Sequence, residues 1–260
     1  MSSPNLIIDI DLFKYILPYG IPRNSFIILA GEGGAGKSIL AINIAGKVLA
    51  SGEPVIYVSF DDDPVTVINQ FSSFNIDARK YNEDKLFWII DGFSYLISGE
   101  TRRRDNIILS TVDPTDLNNT LYGIVKSIDQ VGVRDKGLVI IDSLNEFLNY
   151  HEASRVVYAV KFLRSNISKY RNITLIALLH TSTEYYTDFL KSIEHLVDGI
   201  LYTEVVVQHP LAGEIPVPLR QILVKKMKGV PHHTSWTLYM IDRTGIKPVI
   251  IRLKEEKKSG

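Results

Sequence analysis

The chain has 260 residues, 45% hydrophobic and 22% charged, enough for one large domain with a well-buried core and marginal for two. Lys plus Arg and Asp plus Glu both number 29, so no global field draws in nucleic acid, and contact with DNA or RNA needs a local patch or a ring of subunits. With no cysteine, disulfides, thiolate zinc sites and cysteine nucleophiles are excluded, and a reducing, cytoplasmic setting is the default expectation.

The lead, residues 1–20, has neither a basic run nor a small-residue cleavage site, so no secretory signal is expected. "SFIILAG" (25–31) is a short apolar strand, and "KSILAINIAGKVLAS" (37–51) follows with apolar residues at helical spacing. "PVIYVSF" (54–60) predicts the next strand, and "PVTVINQFSSF" (64–74) a helix opened by Pro64, whose missing N–H costs nothing at a first helical position. A strand at 85–92, a helix over 113–132 and a strand at 137–143 come next. A helix over 154–170 and a strand at 173–180 complete the alternation. These apolar runs are too short to span a bilayer. From about residue 199 the chain changes to "GILYTEVVVQ", "LRQILVKKMKG" and "SWTLYMID", separated by turn-rich segments. The expectation is a single α/β domain over 1–260: a mostly parallel central sheet with helices on both faces, a C-terminal antiparallel extension, and a charged tail at 252–260.

Between the first strand and its helix lies "GEGGAGKS" (31–38), which fits G-x-x-x-x-G-K-[ST]. A phosphate chain wrapped by consecutive backbone N–H groups needs backbone angles and a close approach that side chains would block. Gly31, Gly33, Gly34, Ala35 and Gly36 are therefore candidates for the cradle, with the helix directing its partial positive end at the anion. Lys37 is placed to reach the terminal phosphates and the Ser38 hydroxyl to ligate Mg²⁺. A chance glycine-rich surface turn is the alternative; the strand before and the helix after favour the phosphate site.

Asp142 ends "LVIID", where these folds place the carboxylate that holds magnesium through water, on a strand expected beside the first one. An ordinary helix-capping Asp would occupy the same kind of position. Asp61, Asp62 and Asp63 follow the second strand, at the end of the sheet where ligands gather. Asp63 reads as the cap of the Pro64 helix, leaving Asp61 and Asp62 to orient or deprotonate water. Crowded carboxylates in a closed site predict that one of the three titrates high. His180 ends its strand either as a γ-phosphate sensor or as an ordinary strand-end histidine.

Together, the P-loop, "SFDDDP", "IIDS" and "VKKMKG" resemble a single-domain KaiC-like ATPase of the RecA superfamily, of the archaeal KaiC or RadA-paralogue type, over roughly Asp11 to Val249. The resemblance implies a RecA-like fold, ATP and Mg²⁺, and a hexameric ring. Asp61 and Asp62 stand where that family usually has paired glutamates. Lys226, Lys228, Gly229 and His232 match its late K-x-R-G-x-x-H pattern, so Lys226 and Lys228 are implied to act on a neighbouring subunit's γ-phosphate. Asp for Glu and Lys for Arg both predict slow hydrolysis, because a lysine cannot bind phosphate as a planar fork. A basic edge strand that blunts edge pairing is the alternative for the two lysines. Three functions follow: a slow oligomeric regulatory ATPase; a non-hydrolysing switch recruiting a protein partner, as in the archaellum accessory branch; or a recombinase-paralogue accessory. For the last, Arg102, Arg103 and Arg104 would bind single-stranded DNA, unless they form a solvated loop.

Overall fold

The structure is a computed structural model and describes residues 5–96, 105–207, 217–242 and 244–249. In chain order the elements are β1 (Asn5–Leu6), α1 (Asp11–Ile16), β2 (Ile21–Pro22), β3 (Phe26–Gly31), α2 (Lys37–Ala50), β4 (Val55–Ser59), α3 (Pro64–Ser73) and α4 (Ala78–Glu83). Next come β5 (Phe87–Asp91), β6 (Ile108–Thr111), α5 (Leu117–Gln130), β7 (Leu138–Asp142), α6 (Asn145–Tyr150) and α7 (Ala153–Leu163). The remaining elements are β8 (Thr174–His180), α8 (Glu184–Ile193), β9 (Gly199–Val205), β10 (Arg220–Met227), β11 (Thr237–Asp242) and β12 (Gly245–Pro248).

β3 to β12 form one sheet in the order β12-β11-β10-β9-β3-β8-β7-β4-β5-β6. Neighbours from β9 to β6 run parallel, and β10, β11 and β12 are added antiparallel. The first strand shows why its run is continuously apolar. Side chains alternate across a strand, so Ile27 and Leu29 enter a core with α1 to α4, while Phe26, Ile28 and Ala30 enter a second core with α5 to α8. Each fully buried Ile, Leu or Phe contributes about 2 kcal/mol. β3 is thus clamped from both faces, which holds the loop after it in place.

The RecA-like α/β architecture agrees with the reading of the sequence, with particular differences. β8 lies between β3 and β7, so Asp142 sits two strands from the P-loop strand, not on its neighbour. β9, expected in the antiparallel extension, pairs parallel with β3 and antiparallel with β10 alone. The helix expected from 113 starts at Leu117 behind an Asp116 cap, and a short edge strand, β6, precedes it. The helix expected over 154–170 is α-helical to Leu163 and then π-helical over Arg164–Lys169. α1, α4 and α6, six residues each, carry too few apolar repeats to stand out from the sequence. No helix among the described residues is long and apolar enough to cross a membrane.

Candidate active site

The C-terminal ends of β3, β8, β7 and β4 open into one crevice, and the sequence-predicted residues of the P-loop and both acidic segments gather there. The P-loop starts at Gly31, where an added Cβ would lie 2.2 Å from the Thr203 carbonyl oxygen, so only glycine permits this approach of β3 to β9. Gly36 has φ +87°, a left-handed conformation that L side chains adopt at a cost. That turn starts α2 without a side-chain cap and without an acid in its first turn. The first N–H groups of the helix therefore keep their hydrogen-bonding capacity for an anion. By contrast, α3 is capped by Asp63, which accepts from the N–H groups of Val65 and Thr66 as expected.

Lys37 is buried, and its Nζ donates to the carbonyl oxygens of Gly31 at 2.9 Å and Glu32 at 2.8 Å. Burial pulls this ammonium down to about 8, although Asp142 and Asp61 nearby act in the opposite direction. The rest of the loop is pinned from below: the Ala35 carbonyl accepts from the hydroxyls of Thr203 and Tyr239. Gly33 N–H donates to Ser182 Oγ at 3.0 Å, tying the loop to the segment that follows β8.

On the other side of the crevice, the Tyr57 hydroxyl donates to Asp142 Oδ2 at 2.6 Å. Asp142 Oδ1 is buried and has no hydrogen-bond partner among the described residues. Burial pushes this carboxyl up to about 6; Asp61 adds to the rise, and the Tyr57 and Ser38 hydroxyls oppose it. A carboxylate with one oxygen engaged and the other orphaned, beside a serine hydroxyl at a helix N-terminus, is a donor set that suits a hydrated divalent ion.

The three consecutive aspartates diverge instead of crowding. Asp61 accepts from Ser143 Oγ at 3.2 Å and lies 3.3 Å from His180 Nε2, facing Asp142 across the crevice. Asp62 turns aside to Gln70 Nε2 at 2.8 Å. The carboxyl that burial pushes up is Asp142, outside the triplet. His180 belongs to the crevice: Asn145 holds its main chain from both sides, accepting from its N–H at 2.7 Å and donating to its C=O at 3.1 Å.

Lys226 and Lys228 lie away from the chain's own P-loop. Lys228 N–H donates to the Asp198 carbonyl, and Asp198 N–H to that of Phe26, so they stand near the start of β3, about 16 Å of strand from Gly31. Lys226 Nζ donates to the Glu194 carbonyl, and its ammonium is pulled down by burial and by the neighbouring Lys228. Arg102, Arg103 and Arg104 lie outside the described residues.

Four residues of the crevice escape sequence reasoning: Tyr57, Asn145, Ser182 and Arg220. Tyr57 carried a signal, a hydroxyl inside an otherwise apolar strand. Arg220 comes from the start of β10 to lie over the turn into α2, its buried Nε without a hydrogen-bond partner among the described residues and 3.1 Å from where a Gly36 Cβ would be. A groove of about 460 Å³ between β6 and α5, lined in part by Asp113, Lys126 and Ser127, contains none of these residues.

Comparison with known proteins agrees with this geometry. The family described as "ATPase: KaiC" matches residues 8–254. A UPF0273 protein of Aeropyrum pernix is 28% identical over 233 residues, 89% of this chain and 88% of the relative. A UPF0273 protein of Methanocaldococcus jannaschii is 29% identical over 233 residues, 89% and 90% of the two chains. One of Pyrococcus furiosus is 27% identical over 231 residues, 89% and 88%. With its family match running from before β3 to beyond β12, and with a phosphate cradle facing a buried carboxylate, the chain belongs to the KaiC-type ATPases of the RecA superfamily.

Proposed function

We propose that the protein binds ATP with Mg²⁺ and hydrolyses it slowly, as an oligomeric regulatory or accessory ATPase. The observation that carries this reading is the pairing of an uncapped, glycine-bounded α2 N-terminus with the orphaned Asp142 Oδ1 across one crevice. Backbone N–H groups from Gly34 to Ser38 and the Lys37 ammonium take the phosphates, with Gly31, Gly33, Ala35 and Gly36 shaping the cradle. Arg220 supplies a further cation over the α2 turn. Ser38, and Asp142 through water, would hold Mg²⁺, which when bound offsets charge between the phosphate groups. Asp61 orients water and accepts its proton, with His180 and Ser143 holding its carboxylate. Asp62, turned to Gln70, supports the turn that presents Asp61.

Lys226 and Lys228 suit action on a neighbour, because their position near the start of β3 separates them from their own phosphates. Such a pair offsets charge on the transferred phosphoryl group of the adjacent subunit, which favours a closed ring, six-membered in this reading. The cysteine-free sequence suits a cytoplasmic setting. The non-hydrolysing switch has its own support: a short Asp61 side chain already engaged by His180 and Ser143 is a restrained base.

Calorimetry with Mg·ATP tests the site: binding is expected in the unaltered protein and lost in Lys37→Ala, and unaltered affinity in that variant would refute it. Phosphate release that falls at least about tenfold in Asp61→Asn supports turnover. Release that is undetectable before and after favours the switch.

A further inference from the structure

We propose that Asp61, Asp142 and His180 form a binding site for a first-row divalent transition cation, sharing Asp142 with the proposed magnesium site but adding Asp61 and the His180 imidazole as ligands. It needs no nucleotide and does not rest on the function proposed above.

One ligand atom from each residue lies within 4.8 Å of the other two, with His180 Nε2 and Asp61 Oδ2 3.3 Å apart. Donors at about 2.0–2.2 Å from one ion stand roughly 3–4 Å from one another, so small side-chain adjustments close the set. A second sign of a missing cation is Asp142 Oδ1, buried and without a hydrogen-bond partner among the described residues, while Tyr57 occupies the other oxygen. A carboxylate oxygen taken out of water calls for a hydrogen-bond donor or a bound cation, and among the described residues none completes a hydrogen bond to Oδ1.

The three ligands are held by separate devices. Tyr57 fixes the plane of Asp142, Ser143 steadies Asp61, and Asn145 grips the main chain of His180 from both sides. Such outer hydrogen bonds orient ligands before an ion arrives. His180 and Asp61 are partly open to solvent, leaving room for water in the remaining coordination positions. The imidazole sets the selectivity: magnesium prefers an all-oxygen shell, whereas cobalt, zinc and manganese accept a mixed nitrogen and carboxylate set. The Lys37 ammonium faces the same two carboxylates and opposes the ion by charge repulsion.

The test uses the full chain, stripped of divalent ions and free of nucleotide, titrated with CoCl₂ by visible absorption and calorimetry. One Co²⁺ per chain is expected, displaced by Zn²⁺ and retained against a tenfold excess of Mg²⁺. His180→Gln and Asp61→Asn, each checked for native circular dichroism, should weaken Co²⁺ binding about tenfold or more. Lys37→Ala should keep or tighten Co²⁺ binding while abolishing ATP binding, which separates this site from the nucleotide reading. Unchanged affinity in His180→Gln would overturn the proposal. So would loss of the bound Co²⁺ on substituting His232 and His233 together, which would place the ion elsewhere.

Discussion

Asp142→Asn isolates what the site costs the fold. The aspartate is almost fully buried, with a carboxyl raised from 3.8 to about 6. At 1.36 kcal/mol per unit, that rise corresponds to about 3 kcal/mol of lost stability when the group is ionised. The sign follows from proton counting. Between the two values the folded chain holds the proton more tightly than the unfolded one, so stability falls as pH climbs through this window. The loss is about 0.5 kcal/mol at pH 4 and is complete above about pH 6. Asparagine keeps an oxygen to accept the Tyr57 O–H and carries no charge; its unpaired NH₂ cancels part of the gain. Urea unfolding in EDTA without nucleotide should therefore show Asp142→Asn about 1–3 kcal/mol more stable than the natural chain at pH 8. At pH 4 that advantage should shrink to a small fraction. Mg·ATP should raise the unfolding midpoint of the natural chain and leave that of the variant in place. Equal or lower stability of the variant at pH 8 would refute the reasoning, as would a gain that does not change with pH.

Three further outcomes are expected. Gly36→Ala forces a Cβ into the left-handed region and against Arg220, so stability should drop by about 1–2 kcal/mol and ATP affinity should fall by calorimetry; unaltered affinity would contradict the cradle. Asp63→Ala removes the α3 cap and should lower the unfolding free energy by about 1 kcal/mol with nucleotide binding intact, since both its carboxylate oxygens are engaged by the first turn of α3. If Lys226 and Lys228 act across an interface, mixing Lys226→Ala/Lys228→Ala with Asp61→Asn should restore part of the phosphate release that each lacks alone, through junctions with one intact face from each. No recovery in mixed assemblies of confirmed composition would count against action in trans.

The parts of the site legible in the sequence are those built locally. Gly31 to Ser38 announce themselves because a strand, a left-handed turn and an uncapped helix start all lie within a short stretch, and each demands a residue type. Asp63 is equally readable, since Pro64 fixes the first turn that it caps. The hydrophobic runs of β3, β4, β7 and β8 report two-sided burial without any partner being known. Short helices such as α4 and α6, six residues each, stayed hidden because so few residues establish no period. The edge strand β6 stayed hidden because it is half-buried, so its run is neither clearly apolar nor clearly alternating.

Lateral order is a different kind of information. A strand that pairs with β8 reads in sequence like one that pairs with β3, since both are apolar on two faces; hence the placement of Asp142 one strand too near the P-loop. The contact of His180 with Asp61 spans 119 residues, and that of Tyr57 with Asp142 spans 85. Such pairs leave no periodic trace. The sequence by itself determined the phosphate cradle, the layered α/β class and the list of acids at strand ends, because backbone geometry and burial act within a few residues. Tertiary structure alone decided which acid faces the cradle, which oxygen stays orphaned and which lysines lie far from the cradle, because desolvation and Coulomb forces depend on distances in space that chain order does not encode.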